Sequence, residues 1–226
     1  MIPDLKKLCQ KIEYTFDNEK LLLEALTHRS VGSVNNERLE FLGDSILNFV
    51  VAEELFTLLP DASEGDLSRL RASVVKKESL VEIAKTLQLG DFLSLGSGEL
   101  KSGGFRRESI LADAVEAIIG AVLKDAGFET SSQLILRLCK SKIQQTITEG
   151  PEKDAKTRLQ EYLQSRRYRL PDYQVDKITG KAHQQSFSVS CLIKELDLTT
   201  KGQGRSRRIA EQDAAQQAIE SIEAAK

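Results

Sequence analysis

The sequence predicts two unlike domains: a mainly helical first part and a small second part of order α-β-β-β-α. Three observations predict this. From Asp4 to about Ala126 apolar residues recur at helical spacing almost without a break. Phe187, Val189, Cys191 and Ile193 instead alternate with polar residues, the period of a half-buried strand. Between these regions Thr148-Glu149-Gly150-Pro151-Glu152-Lys153 is polar and carries a Gly-Pro break. Residues 1–147 and 154–226 are therefore expected to fold separately around a linker at 148–153.

Charge divides the chain in the same way. Residues 151–226 hold 14 Lys+Arg against 11 Asp+Glu, whereas residues 1–150 hold 18 against 23. A mildly basic second part is a candidate for binding a polyanion. With 40% apolar and 29% charged residues in 226, the composition is that of an ordinary globular protein. Cys9, Cys139 and Cys191 are too far apart for a zinc pattern or a disulfide framework and read as buried free thiols. No run approaches the apolar length of a membrane span, and the first residues lack a secretory h-region, so a cytoplasmic location is expected.

In order along the chain, Leu21–Leu26 is a short apolar helix entering Thr27-His28-Arg29-Ser30. His28 beside a helix end reads as a hydrogen-bonded structural residue. A long helix follows, capped at Asn35 or Asn36 and ending near Leu58 before Pro60-Asp61. Leu39, Leu42, Ile46, Phe49 and Val50 form its apolar stripe, and Glu37, Glu40 and Asp44 line the opposite side. Stacked carboxylates repel one another unless a cation or a shared proton sits among them; the alternative is a solvated acidic face. Phe41 lies on that acidic side, where a solvated face has little use for a bulky aromatic ring, so something is expected to cover it.

A loop containing Glu64 then leads into a helix expected over about Asp66–Leu87. Residues 95–104 are Gly-rich, lack the Lys-Ser/Thr ending of a phosphate-binding loop, and read as flexible. The helix from Ser109 to Lys124 is apolar on nearly every side, hence buried, yet carries Asp113 and Glu116 one turn apart. Two buried carboxylates must be protonated, paired with bases such as Arg38, Arg106 or Arg107, or bound to a metal. If the two acidic helices face each other, Glu40, Asp44, Asp113 and Glu116 form an all-oxygen cluster of the kind that suits Mg²⁺ or Mn²⁺. Such a site polarises a phosphodiester and activates water.

In the second part, Ala155–Ser165 is a helix, Tyr173–Ile178 and Phe187–Ile193 are strands around a turn at Thr179-Gly180, and Leu196–Thr200 is a third strand. The last helix, about Ser206–Ala224, packs through Ala210, Ala214, Ala218 and Ile222. Lys201, Arg205, Arg207 and Arg208 are expected at the loop and first turn of that helix, where basic residues oppose the helix dipole. Either the loop is simply solvated, or an anion such as a phosphate is received there.

These residues resemble the bacterial ribonuclease III family over nearly the whole chain. Residues 37–45 (Glu-Arg-Leu-Glu-Phe-Leu-Gly-Asp-Ser) are similar to its signature, and 64–68 and 111–117 to its second and third motifs, in order. Thr157, Gln160, Glu161, Gly180, His183, Phe187 and residues 206–210 resemble a double-stranded-RNA-binding domain. Ala155 and Lys181 stand where prolines are common, and Arg207-Arg208 replace the usual lysines, which keeps phosphate contact but changes its geometry.

The resemblance implies an endoribonuclease that cuts double-stranded RNA, with Glu40, Asp44, Asp113 and Glu116 holding Mg²⁺, for which Mn²⁺ substitutes. It makes Glu116 the most critical ligand, gives Asp44 a part in placing the nucleophilic water, and assigns auxiliary positions to Glu37 and Glu64. It also implies a homodimer in which Phe41 inserts into the partner, and staggered cuts leaving 5′-phosphate and 3′-hydroxyl ends. The expected substrates are ribosomal and messenger RNA precursors. Gln160, Glu161 and His183 would approach the minor groove, and Lys201, Arg207 and Arg208 the phosphates, with Thr157, Arg205 and Ser206 also in the RNA-binding surface. Two rival readings are a duplex-binding protein without catalysis and a small-molecule phosphohydrolase. The intact set of acids argues against the first, and the appended RNA-binding pattern against the second.

Overall fold

A computed structural model describes residues 5–150, 154–180 and 185–224, which fall into two compact units, Met1–Glu152 and Lys153–Lys226. The first is helical. Its elements are α1 (Leu5–Ile12), α2 (Glu19–Ala25), α3 (Glu37–Leu58), α4 (Glu64–Val75), α5 (Lys77–Leu87), α6 (Ser97–Lys101) and α7 (Glu108–Glu149), the last bent at Gly127. No helix among the described residues is long and apolar enough to cross a membrane.

The core of this unit is α3 against α7. Leu39, Ile46, Leu47, Val50, Val51 and Leu55 of α3 are buried with Leu111, Val115, Ile118, Ile119 and Val122 of α7. At the crossing the two backbones touch. A Cβ on Gly43 would overlap the Glu116 carbonyl, and one on Gly120 would overlap that of Leu39. This contact rotates α3 from the orientation its stripe predicts. Gly43, Leu47 and Val51 turn inward, while Phe49 is 58% exposed and packs edge-on against Phe128 with ring centroids 5.9 Å apart.

The N-terminal segment is tied to α7 through Asp125, whose carboxylate accepts from the Tyr14 hydroxyl at 2.6 Å and from the backbone N–H of Asp17 and Asn18.

Two expected elements differ. The helix expected over Asp66–Leu87 is two helices, and Glu64 opens α4 instead of lying before it, with Ser63 as its cap. Lys76 is extended between them. An unbroken helix carrying Leu70, Val74 and Val81 on one face would bring Lys77 onto the same face. The break lets Leu80, Val81 and Ala84 reach the core while Lys77 stays out. The Gly-rich stretch at 95–104 contains helix α6, held by the ion pair of Glu99 with Arg107 at 2.9 Å.

The second unit contains α8 (Ala155–Ser165), β1 (Asp172–Thr179), β2 (Ser186–Ile193), β3 (Leu198–Gly204) and α9 (Arg207–Ala224), the expected α-β-β-β-α order. The strands form an antiparallel sheet of order β1-β2-β3. Leu159 and Leu163 of α8, Cys191 and Ile193 of β2, and Ala214 and Ala218 of α9 make its core.

The third strand starts and ends later than Leu196–Thr200, because a turn at Lys194–Leu196 and left-handed Asp197 occupy the expected start. β3 continues through Gly202 and Gly204, where a Cβ would overlap the backbone of α9. Lys201 therefore belongs to a strand and not to the loop before α9.

We expect Gly43→Ala to destabilise the first unit by about 3 kcal/mol or more through backbone overlap, seen as a fall in Tm of roughly 6–12 °C. An unchanged melting curve would show that α3 and α7 do not cross in backbone contact.

Candidate active site and RNA-binding surface

The α3–α7 crossing sets the acids in place. Gly43 lies three residues after Glu40 and one before Asp44, and Gly120 lies one turn after Glu116. Backbone contact between these helices brings Glu40, Asp113 and Glu116 together, with a carboxylate oxygen of each within 4.8 Å of the others. All three are half-buried. No basic group among the described residues pairs with them within 4 Å: of the candidate partners, Arg107 binds Glu99, Arg106 stacks on Phe105, and Arg38 is exposed.

Their titration reflects this crowding. Burial, then Asp44, Glu40 and Asp113, pushes Glu116 up to about 8. Burial, then Asp113 and Glu37, raises Glu40. Burial raises Asp113 too, against the opposing influence of His28 and Arg29. A divalent cation removes the repulsion and replaces the lost hydration, and three carboxylates supply the hard oxygen donors that Mg²⁺ and Mn²⁺ take. The residues fit such an ion.

The other predicted acids stand outside this three-acid group. Asp44 is exposed and its Oδ1 accepts from Asn48 Nδ2 at 2.8 Å; it stands outside the three-acid group yet is the strongest charge acting on Glu116. Exposed Glu37 forms a 3.4 Å ion pair with Arg29. Glu64 Oε1 accepts from Ser68 Oγ at 2.7 Å and is not a member of the three-acid group.

A cavity of 370 Å³ opens over Glu40 and Asp113, with His28, Arg29, Asn36 and Arg107 in its wall. His28 is hydrogen-bonded, as its place beside a helix end predicts. Its Nδ1 lies 2.8 Å from Ser30 Oγ, and Ser30 Oγ accepts from Gly96 N–H at 2.9 Å, so this loop is held to residues far along the chain. Nothing local in the sequence signals that approach.

In the second unit Gln160 and Glu161 are exposed on α8, and Thr157 N–H donates to the capping Asp154. Ser206 Oγ accepts from Ile209 N–H at the start of α9, beside exposed Arg205, Arg207 and Arg208. The alternation of β3 puts Lys201 on the face turned away from α9, apart from the arginines it was expected to join. His183 lies outside the described residues.

Glu211 is the residue the sequence reading missed. It is 9% exposed, and its carboxylate binds Lys156 Nζ at 2.6 Å and Arg207 Nε at 2.8 Å. Arg207 is thereby held while its side chain stays 63% exposed. The available signal was position: Glu211 falls on the packing face of α9, three residues before Ala214, where an acid requires partners.

A two-helix carboxylate cluster in a helical unit, joined to an α-β-β-β-α unit with arginines at its last helix, defines a nuclease with a duplex-RNA-binding module. Comparison agrees. Residues 18–143 match the ribonuclease-III-like family and residues 155–222 the double-stranded RNA binding motif. The chain is 54% identical to Ribonuclease 3 of Hahella chejuensis over 97% of both chains. It is 51% identical to that of Vibrio cholerae over 98% of this chain and 99% of the other. The solved nuclease domain of a ribonuclease III from Campylobacter jejuni is 48% identical, with a TM-score of 0.60, over 62% of this chain and 98% of that one. The chain belongs to the ribonuclease III family and is an endoribonuclease with a double-stranded-RNA-binding domain.

Because Glu116 binds its proton more tightly folded than unfolded, its contribution to stability is fully present below about 4.5 and is lost as pH rises through about 8. In EDTA, Tm is expected to fall across that window, and Glu116→Gln to flatten the fall. An equal slope in the variant would place the titration elsewhere.

Proposed function

We propose that this chain is a Mg²⁺-dependent endoribonuclease that cuts double-stranded RNA to 5′-phosphate and 3′-hydroxyl ends. The observation that carries the reading is the half-buried cluster of Glu40, Asp113 and Glu116, without a basic partner among the described residues. Glu40, Asp113 and Glu116 hold the ion, with Asp44 beside Glu116 completing the set; Mn²⁺ substitutes. When bound, the cation polarises the phosphodiester and makes bound water more acidic. Asp44, which is exposed, orients the attacking water. The water oxygen bonds to phosphorus and the bond to the 3′-oxygen breaks; the attacking water gives up a proton to solvent, and the leaving 3′-oxygen takes one from solvent to become the 3′-hydroxyl. Glu37, in the cavity wall, and Glu64 act as auxiliary acids.

Arg205, Arg207 and Arg208 meet phosphates, while Thr157, Gln160, Glu161 and His183 approach the minor groove, so recognition is by duplex shape. Lys201 contributes charge from the sheet face. Domain limits of 1–147 and 154–226 around a short linker accompany this division of labour.

The active form is a homodimer joined along α3, one site for each RNA strand, which gives staggered cuts. Supporting this, Phe41 is 75% exposed on α3, as are Phe49 at 58% and Phe56 at 70%, more aromatic surface than a solitary helix face usually carries. The similar Campylobacter jejuni nuclease domain has a region involved in dimer formation. The family resemblance supports action on ribosomal and messenger RNA precursors in the cytoplasm.

Metal-stripped protein should cut a long RNA duplex when Mg²⁺ is added and spare single-stranded RNA. Loss of a metal ligand removes several kcal/mol of transition-state stabilisation, so Glu116→Gln should slow cutting roughly a thousandfold or more. Duplex binding in Ca²⁺ should remain. Cleavage in EDTA, or full activity of the variant, overturns the metal site. The products' 5′ ends should accept phosphate from a kinase only after phosphatase treatment. Phe41→Asp should shift the mass measured by light scattering from dimer to monomer; an unchanged mass removes Phe41 from the interface.

A further inference from the structure

Asn36 immediately precedes α3 and is 2% exposed. Its backbone is fully used: the N–H donates to the Thr27 carbonyl at 2.9 Å, and its carbonyl accepts from Glu40 N–H at 2.8 Å. Its side chain plays no part in capping. Asn35 is the residue whose Oδ1 accepts from Glu37 N–H, at 3.0 Å. Among the described residues the Asn36 amide nitrogen meets no hydrogen-bond acceptor.

An unsatisfied buried donor destabilises a protein, and an apolar side chain of similar size would not carry that cost. The location supplies a reason for it. Asn36 is part of the wall of the acidic cavity, together with Glu40 and Asp113. It also lies four residues before Glu40, so the two side chains are neighbours on one face of the helix. An amide N–H beside a carboxylate is a complementary pair, and the nitrogen is too deeply buried to serve a group arriving from solvent.

We propose that Asn36 is a positioning residue of the cation site: its side-chain N–H donates to the Glu40 carboxylate when Glu40, Asp113 and Glu116 close on a divalent cation. The hydrogen bond occupies one Glu40 oxygen and leaves the other for the ion. Outer hydrogen bonds of this kind orient metal ligands and strengthen binding. The inference rests on the metal reading above. Among the described residues the amide has no acceptor, and the Glu40 carboxylate is the acceptor this arrangement gives it.

The test is calorimetric titration of EDTA-stripped full-length protein with Mn²⁺, for wild type, Asn36→Ala, Asn36→Leu and Glu116→Gln, with the metal-free Tm of each. Both Asn36 variants should bind Mn²⁺ roughly tenfold or more weakly, with a metal-free Tm equal to or above that of wild type. Asn36→Leu keeps the volume and decides the matter if the alanine variant does not fold. Wild-type affinity in the Asn36 variants overturns the proposal, as does a lowered metal-free Tm with affinity intact, the mark of a purely structural residue. Mn²⁺ binding by wild type that Glu116→Gln abolishes leaves the metal reading standing even when Asn36 proves neutral. No Mn²⁺ binding by wild type overturns both.

Discussion

The close approach of α3 and α7 is the constraint on which the first unit depends. Helices that meet through side chains keep their axes about 8–10 Å apart. Here Gly43 sits against the Glu116 carbonyl and Gly120 against that of Leu39, so the backbones themselves are the contact surface. Glu40 and Asp44 flank the first glycine, and Asp113 and Glu116 lie within two turns before the second. Without that approach their short carboxylates would remain on separate helices. The second unit uses the same device: Gly202 and Gly204 let β3 lie on α9, which sets Arg207 and Arg208 directly after the sheet edge.

The protein keeps buried acids in two opposite ways. Glu211 is surrounded by its own cations, Lys156 and Arg207, and hydrogen bonds from them hold its carboxyl below the usual range despite the opposing effect of burial. Its charge is balanced before any ligand arrives. Glu40, Asp113 and Glu116 have no ion-pair partner among the described residues, and burial drives all three upward. The fold tolerates the strain because the rest of α7 is apolar and packed on nearly every side, from Ile110 to Val122. An acid balanced from within holds the fold together; acids left unbalanced at one point are a group able to hold a cation.

A good deal of this was legible in the sequence because it depends on local periodicity. The helical first part, the α-β-β-β-α second part, the Ala155–Ser165 helix and the packing face of α9 follow from apolar spacing of 3.6 or 2 residues. Asp113 and Glu116 stood out because acids on an otherwise apolar helix demand an explanation, and the resemblance in three ordered motifs carried the family.

What the sequence determined by itself was which residues share a face and which carry charge that needs an answer. Tertiary structure decided the rest. Whether Asp66–Leu87 is one helix or two depends on which face the core can accept at Lys77. The rotation that exposes Phe49 depends on Gly43 meeting a helix more than seventy residues away. Lys201 parts from the arginines because strand pairing extends β3 past it, and Glu211 meets Lys156 across the unit. Each of these outcomes depends on contacts between residues distant in the chain, and periodicity along one segment carries no information about its partner.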